Sequence, residues 1–244
     1  MQKNKKILFN IILTAMMSAL SFIMTYIAIP IGGSKVHLGN AICLLASLLF
    51  GPIVGGLSGS IGMGLNDLLL SYPPQTWIRT FIAKFIMGFV VGLLFKILKK
   101  REKINLIHFM LSSFIFFAIG SIFIFLMIFN GNSIQIGDKT VELNFFIPIL
   151  SYALSLILIV IFLIFKNKNE KIKRVAVATS YATILNIIIE FIFKIILNTL
   201  FTSSLAASVV SAISSVPATI LTGVVSICIA SLLYIPISVA IKNG

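Results

Sequence analysis

The chain has 244 residues, of which 59% are hydrophobic and only 10% charged, and its mean hydropathy is +1.14. A soluble domain carries about a quarter charged residues, so this apolar excess excludes a soluble enzyme, a secreted domain or a disordered tail. The net charge of +13 would suggest nucleic acid in a soluble protein. Here the basic residues gather between apolar stretches without aromatic interleaving, so the charge is read as a positive-inside signature with no nucleic-acid partner. The apolar stretches are long and unbroken rather than alternating, which excludes an outer-membrane barrel. Cys43 and Cys228 both lie in apolar stretches and imply neither a disulfide framework nor a metal site.

The first apolar run follows Lys3, Lys5 and Lys6 and continues to Ile31, too long for a cleaved signal peptide. It is read as a span over 7–29, with Pro30 beyond its end. A polar loop over 32–40 follows. Residues 41–70 are apolar but rich in glycine and broken by Gly51-Pro52, which predicts a short helix to Phe50, a tight turn and a second helix to Leu70. Short, Gly/Pro-interrupted segments of this kind point to binding sites in transporters. A rigid loop with Pro73-Pro74 leads into a fourth span over 77–98, closed by Lys99-Lys100-Arg101. A fifth span is predicted over 106–129. The alternation of Ile134, Ile136, Val141 and Leu143 around Gly137-Asp138 predicts a small hairpin within 130–144. The sixth span covers 145–165, the seventh 175–200 and the eighth 206–240, the last containing Pro217 and Pro236.

With eight spans and a cytoplasmic N-terminus, the basic clusters at 3–6, 96–103, 166–174 and Lys242 all fall on one side. The loops at 32–40, 71–77, 130–144 and 201–205, poor in Lys and Arg, fall on the other. The expectation is therefore an all-α polytopic membrane bundle, N-in and C-in. Gly55-x-x-x-Gly59, Ser58-x-x-x-Gly62, Gly88-x-x-x-Gly92 and Ala15-x-x-x-Ala19 place small residues on single helix faces, where backbones can approach closely.

Ionisable groups inside spans are few: Asp67, Lys84, Glu190 and Lys194, with Arg79 near an interface. Each is costly at mid-bilayer and is a functional candidate by default. The structural alternatives are an i,i+4 pair between Glu190 and Lys194 and an inter-helix pair between Asp67 and Lys84. His37 is either a solvated loop histidine or a ligand contact; Trp77 either anchors at the interface or stacks on a flat ligand. There is no phosphate-binding G-x-x-x-x-G-K-[ST] loop, no H-E-x-x-H and no G-x-S-x-G elbow. Neither ATP hydrolysis nor any other catalysis by this chain is expected.

Four stretches together resemble a known family. They are Val36-His37-Leu38-Gly39-Asn40; Leu48-Leu49-Phe50-Gly51-Pro52-Ile53-Val54-Gly55-Gly56; Gly62-Met63-Gly64-Leu65-Asn66-Asp67-Leu68; and Thr80-Phe81-Ile82-Ala83-Lys84-Phe85-Ile86-Met87-Gly88. Their order is similar to that of the substrate-binding S components of energy-coupling factor (ECF) vitamin transporters. Ala15-x-x-x-Ala19 resembles the alanine motif on that family's first helix, and Ser215-Val216-Pro217-Ala218 the proline-containing start of its last helix. The resemblance implies a single membrane domain with a six-helix core at 1–104 and 174–244, interrupted by an inserted helical hairpin at 105–173. It further implies a bacterial cytoplasmic-membrane subunit that binds a water-soluble vitamin from outside. Its partners would be a transmembrane coupling subunit, docked through Ala15 and Ala19, and two ATPase subunits that hydrolyse ATP; no cofactor would be bound by the chain itself. Carried over by position, the pocket would be formed by His37 and Asn40, Tyr72 and Trp77, Lys84, and Asn186 and Glu190. An aromatic wall with a buried carboxylate suits a flat nitrogen-containing ring, which suggests hydroxymethylpyrimidine or pyridoxine and leaves riboflavin open. The competing reading is a self-sufficient proton-coupled transporter that uses Asp67, Lys84 or Glu190 as a relay.

Overall fold

A computed structural model describes residues 2–31, 34–136, 139–143, 145–165, 170–202 and 204–243. It contains the helices α1 (Gln2–Tyr26), α2 (Gly39–Phe50), α3 (Pro52–Leu69), α4 (Pro74–Lys99), α5 (Leu106–Asn130), α6 (Phe146–Phe165), α7 (Glu170–Thr202) and α8 (Leu205–Asn243). Two antiparallel hairpins join them, β1 (Ala28–Ile31) with β2 (Ser34–His37), and β3 (Ser133–Ile136) with β4 (Lys139–Glu142). The chain is a polytopic helical membrane protein: α1, α4, α5, α7 and α8 are each long and apolar enough to cross a bilayer. The 12 residues of α2 rise about 18 Å, short of the roughly 30 Å hydrocarbon layer.

The first helix ends at Tyr26, three residues before the predicted end of the first span, and the segment read as a loop begins with the β1–β2 hairpin. Pro30 fits an isolated two-stranded ribbon, where it pairs with Lys35, but not a helix interior. The hairpin is tied back by the Leu38 amide, which donates to the Met24 carbonyl at 3.1 Å. The β3–β4 strands stand where the alternation predicts them. The turn at 137–138, Gly32-Gly33, Ser203 and the part of the basic run at 166–169 lie outside the described residues. The last helix begins at Leu205, so Pro217 lies well inside it rather than at its start.

Gly51-Pro52 makes the predicted break. Gly51 takes φ +98°, a conformation that favours glycine, and Pro52 opens α3 at a position whose N–H needs no partner. The glycines of α3 then let three neighbours close on it. A Cβ on Gly55 or Gly59 would strike Ser47 or Cys43 of α2, and one on Gly62 would lie 2.4 Å from the Ser18 carbonyl of α1. On α4, a Cβ at Gly88 would sit 2.7 Å from the Gly55 carbonyl oxygen and 2.8 Å from the Gly56 Cα. Both obstacles are backbone and cannot rotate away. Gly88→Ala should therefore cost about 1–3 kcal/mol of stability by overpacking, read as a lowered unfolding midpoint in detergent; an unchanged midpoint would contradict the tight α3–α4 contact.

The helices gather α4 and α7 side by side, with α8 on α7 and α1 and α2 around α3. Helices α5 and α6 pack chiefly on each other, joined by Ser113 to Ser155 at 2.7 Å and Ser121 to Tyr152 at 3.1 Å. The two ends of the bundle differ in charge. At one end the basic segments meet: Arg174 donates to the Arg101 and Glu102 carbonyls at 2.8 and 3.1 Å, and Glu170 accepts from the Ile104 amide at 2.9 Å. At the other end the β1–β2 hairpin, the α3–α4 connection and the α7–α8 junction surround a cavity.

Candidate functional site

The cavity has a volume of about 500 Å³. Three polar stripes reach it. From α4 come Thr76, Thr80 and Lys84 at helical i,i+4 spacing, with Arg79 beside them. From α7 come Glu190, Lys194 and Asn198 at the same spacing. From β2 come Lys35 and His37, two residues apart and so on one face of the strand. Asp67 of α3, Tyr72, Met63 and Thr25 also contribute to the lining.

Two buried ionic clusters hold these elements together. In the first, Lys35 forms an ion pair with Asp67 at 2.8 Å and donates to Asn66 Oδ1 at 3.2 Å, while Thr80 donates to the other Asp67 oxygen at 2.6 Å. The Lys35 ammonium also lies 4.8 Å from the centre of the Tyr72 ring, within cation–π range. Lys35 thus fastens the hairpin to α3 and to the α3–α4 connection, and Asp67 carries the link on to α4 through Thr80. In the second cluster, Lys84 pairs directly with Glu190 and donates to Asn186 Oδ1 at 3.2 Å, and Arg79 Nε stands 4.0 Å from the second Glu190 oxygen. This ties α4 to α7 across 102 and 106 residues of sequence.

Both structural alternatives considered for the charges are corrected by this arrangement. Glu190 turns to Lys84 and Arg79 on α4 rather than to Lys194 on its own helix. Asp67 turns to Lys35 and Thr80 rather than to Lys84. Acidic groups meet the cations of the facing element because buried charge is tolerated only when it is paired and hydrogen-bonded.

His37 lies in the hairpin, outside the membrane helices. Burial, with the Lys84 and Lys35 charges nearby, pushes its imidazole from the usual 6.5 down to about 3. It is neutral at physiological pH, and its Nδ1 accepts from the Gly39 amide at 3.2 Å, which leaves the proton on Nε2.

Of the residues singled out from sequence, His37, Tyr72, Lys84 and Glu190 line the cavity. Asn186 is buried behind it and orients Lys84. Asn40 is buried in the first turn of α2, outside the lining, and its Oδ1 has no hydrogen-bond partner among the described residues. Trp77 sits outside the lining too, edge-on to Phe81 at 6.4 Å between centroids. The aromatic wall is therefore reduced to Tyr72. The pocket carried over from the family leaves out Lys35, Asp67, Arg79, Thr80 and Lys194, although Asp67, Arg79 and Lys194 stand among the charges marked as functional candidates; Lys35 and Thr80 are not among them. The four-residue spacing of Thr76, Thr80 and Lys84, and of Asn186, Glu190, Lys194 and Asn198, was the available signal.

Ala15 and Ala19 lie elsewhere. Both are exposed on α1 and line an apolar groove of about 760 Å³ between α1 and α3, shared with Thr14, Ile53, Leu57 and Leu65.

Among families of known proteins, one described as ECF-type riboflavin transporter, S component, matches residues 6–165. The match covers more than half of the chain and continues past the sequence motifs, which end at Gly88, through α5 and α6. No curated protein and no solved structure matches.

Proposed function

The chain belongs to the S-component family of ECF-type riboflavin transporters, and on that premise we propose that the cavity beneath the β1–β2 hairpin captures a flat water-soluble vitamin, with riboflavin the first candidate and hydroxymethylpyrimidine and pyridoxine next. As a member of that family it is the substrate-binding subunit of a vitamin transporter and works with an ECF module. The observation that carries the reading of the cavity is its placement. Polar side chains from a hairpin, α3, α4 and α7 converge at the end of the bundle opposite the clustered basic residues. By the positive-inside rule that end faces outward, where a nutrient arrives.

In this reading the protein resides in a bacterial cytoplasmic membrane with both termini inside. A coupling subunit docks on α1 and two ATPase subunits supply the energy, since the chain has no phosphate-binding loop of its own. The division into a core of α1–α4, α7 and α8 with α5 and α6 as an added hairpin draws support from the packing of those two helices mainly on each other, and none from the family match, which runs through both. The rival reading, a proton-coupled carrier, is disfavoured because both carboxylates of the cavity are committed to cations, Asp67 to Lys35 and Glu190 to Lys84.

The direct test is a thermal-unfolding screen of the solubilised protein against a panel of vitamins. A ligand present at 100 times its Kd stabilises by about 2.7 kcal/mol, so the true substrate should raise the midpoint by several degrees. A panel in which no vitamin shifts the midpoint would contradict the reading. Accumulation of solute by vesicles holding this polypeptide alone would favour the rival carrier.

A further inference from the structure

The charges around the cavity do not balance. Four cations line it, Lys35, Arg79, Lys84 and Lys194, against two carboxylates, Asp67 and Glu190. Both carboxylates are used up. Asp67 is shared by Lys35 and Thr80, and Glu190 is held directly by Lys84. His37 is neutral and adds no charge. What remains is a corner between α4 and α7. There Lys194 is only 8% exposed and makes no ion pair or hydrogen bond with any described residue. Also on the wall, Arg79 reaches Glu190 only at 4.0 Å, and its buried Nε has no hydrogen-bond partner among the described residues. Asn198 and Ser211 line the same cavity, and each has a group able to donate a hydrogen bond.

A buried ammonium with no acceptor among the described residues, beside a guanidinium that shares Glu190 with Lys84, is costly. A negative group bound in the corner would offset that cost. A neutral acceptor would satisfy hydrogen bonds but leave the charge uncompensated, whereas an oxyanion satisfies both and makes charge-assisted bonds. We infer that the Arg79–Lys194 corner is an oxyanion seat, and that the ligand captured here carries a carboxylate or a phosphate group. The inference rests on reading the cavity as the vitamin site and changes its candidates, because riboflavin, hydroxymethylpyrimidine and pyridoxine carry no such group and give way to their phosphates or to a vitamin with a carboxylate. It also reverses the expectation drawn from Glu190, since that carboxylate is already occupied by Lys84 and does not await an amino group or a protonated ring nitrogen.

The test uses the full-length protein in detergent and titrates matched pairs that differ by one anionic group. The pairs are riboflavin and riboflavin 5′-phosphate, pyridoxine and pyridoxine 5′-phosphate, hydroxymethylpyrimidine and its phosphate, and nicotinamide and nicotinate. In the pair whose ring fits, the anionic member should bind at least about tenfold tighter, in keeping with the greater strength of charge-assisted bonds. The phosphate pairs and the carboxylate pair distinguish the two sources of the oxyanion. Lys194→Met should erase the preference and Lys194→Arg should keep it, while Lys96→Met, exposed toward the basic end of α4, should not alter it. If a neutral member binds as tightly as its anionic twin, or if Lys194→Met leaves the preference intact, the oxyanion seat is wrong while the vitamin site stands. If no member of any pair binds, the vitamin reading falls as well.

Discussion

Replacing Glu190 with glutamine, or Lys84 with methionine, should each destabilise the protein by about 3–5 kcal/mol, the usual cost of leaving one half of a buried ion pair without its partner. The Lys84 side chain is 5% exposed and that of Glu190 22%, so solvent screens the pair little. Each substitution does different damage. Glu190→Gln leaves Lys84 and Arg79 without the carboxylate they share, with Lys194 lining the same cavity. Lys84→Met leaves Glu190 with Arg79 at 4.0 Å as its nearest cation and strips Asn186 Oδ1 of its donor. The double variant Lys84→Met/Glu190→Leu should recover much of the loss, because an apolar pair of similar volume avoids both desolvation penalties. Unfolding free energies in mixed micelles, combined as a double-mutant cycle, measure the coupling. Single variants that each cost less than about 1 kcal/mol, the range of a solvent-exposed pair, would show that Lys84 and Glu190 do not clamp α4 to α7. Glu190→Gln also bears on the oxyanion seat: it removes a repelling charge, so the anionic ligand should restore more stability to this variant than to the parent protein.

The helices of this chain are legible because the bilayer demands long apolar runs, and seven such runs, one split in two by Gly51-Pro52, are hard to misread. The exceptions have local causes. Residues Ile27 to Ile31 continue the hydropathy of α1, so apolar character hides the change from helix to strand, and only Pro30 marks it. The family resemblance places Pro217 at a helix start, whereas the apolar run begins at 206 and α8 begins at Leu205, twelve residues before Pro217; a proline inside a membrane helix is tolerated when its neighbours satisfy the freed carbonyl. The candidate site is half legible. Spacing shows which polar residues share a face of α4 or of α7, but not which helix faces which. Spacing therefore offers Glu190 a partner in Lys194, four residues along its own helix, but not Lys84, which it meets in space 106 residues away. Lys35 is hidden for another reason: it is a cation in what reads as a solvated loop, and its partner Asp67 is 32 residues on. Trp77 shows the same limit: its chemistry suits either a ligand or the membrane interface, and spacing does not show that its ring stands edge-on to Phe81, outside the cavity lining.

Enlarging Ala15 and Ala19 together to leucine or tryptophan should abolish vitamin uptake while leaving vitamin binding and thermal stability near those of the parent. The two residues are exposed on α1 and line the groove between α1 and α3, at the far side of α3 from the α4–α7 contact. No side chain they would gain points into the vitamin cavity, since none of its lining residues is shared with the groove. The groove is not distinguished by being apolar, because large apolar side chains are also exposed elsewhere on the bundle, Phe114, Ile128 and Leu232 among them. It is distinguished by its concavity. Between helices in lipid there is no hydrophobic driving force, and association depends on close backbone approach over small residues. Ala15 and Ala19, one helical turn apart, floor a hollow of about 760 Å³ that can receive a helix of the coupling subunit. Filling that floor removes the fit without touching the fold. Uptake in cells expressing the ECF module, set beside ligand titration of the purified variant, separates the two roles. Uptake that persists would place the docking surface elsewhere on the bundle. Binding lost together with uptake would mean that α1 shapes the vitamin cavity and that the groove is structural.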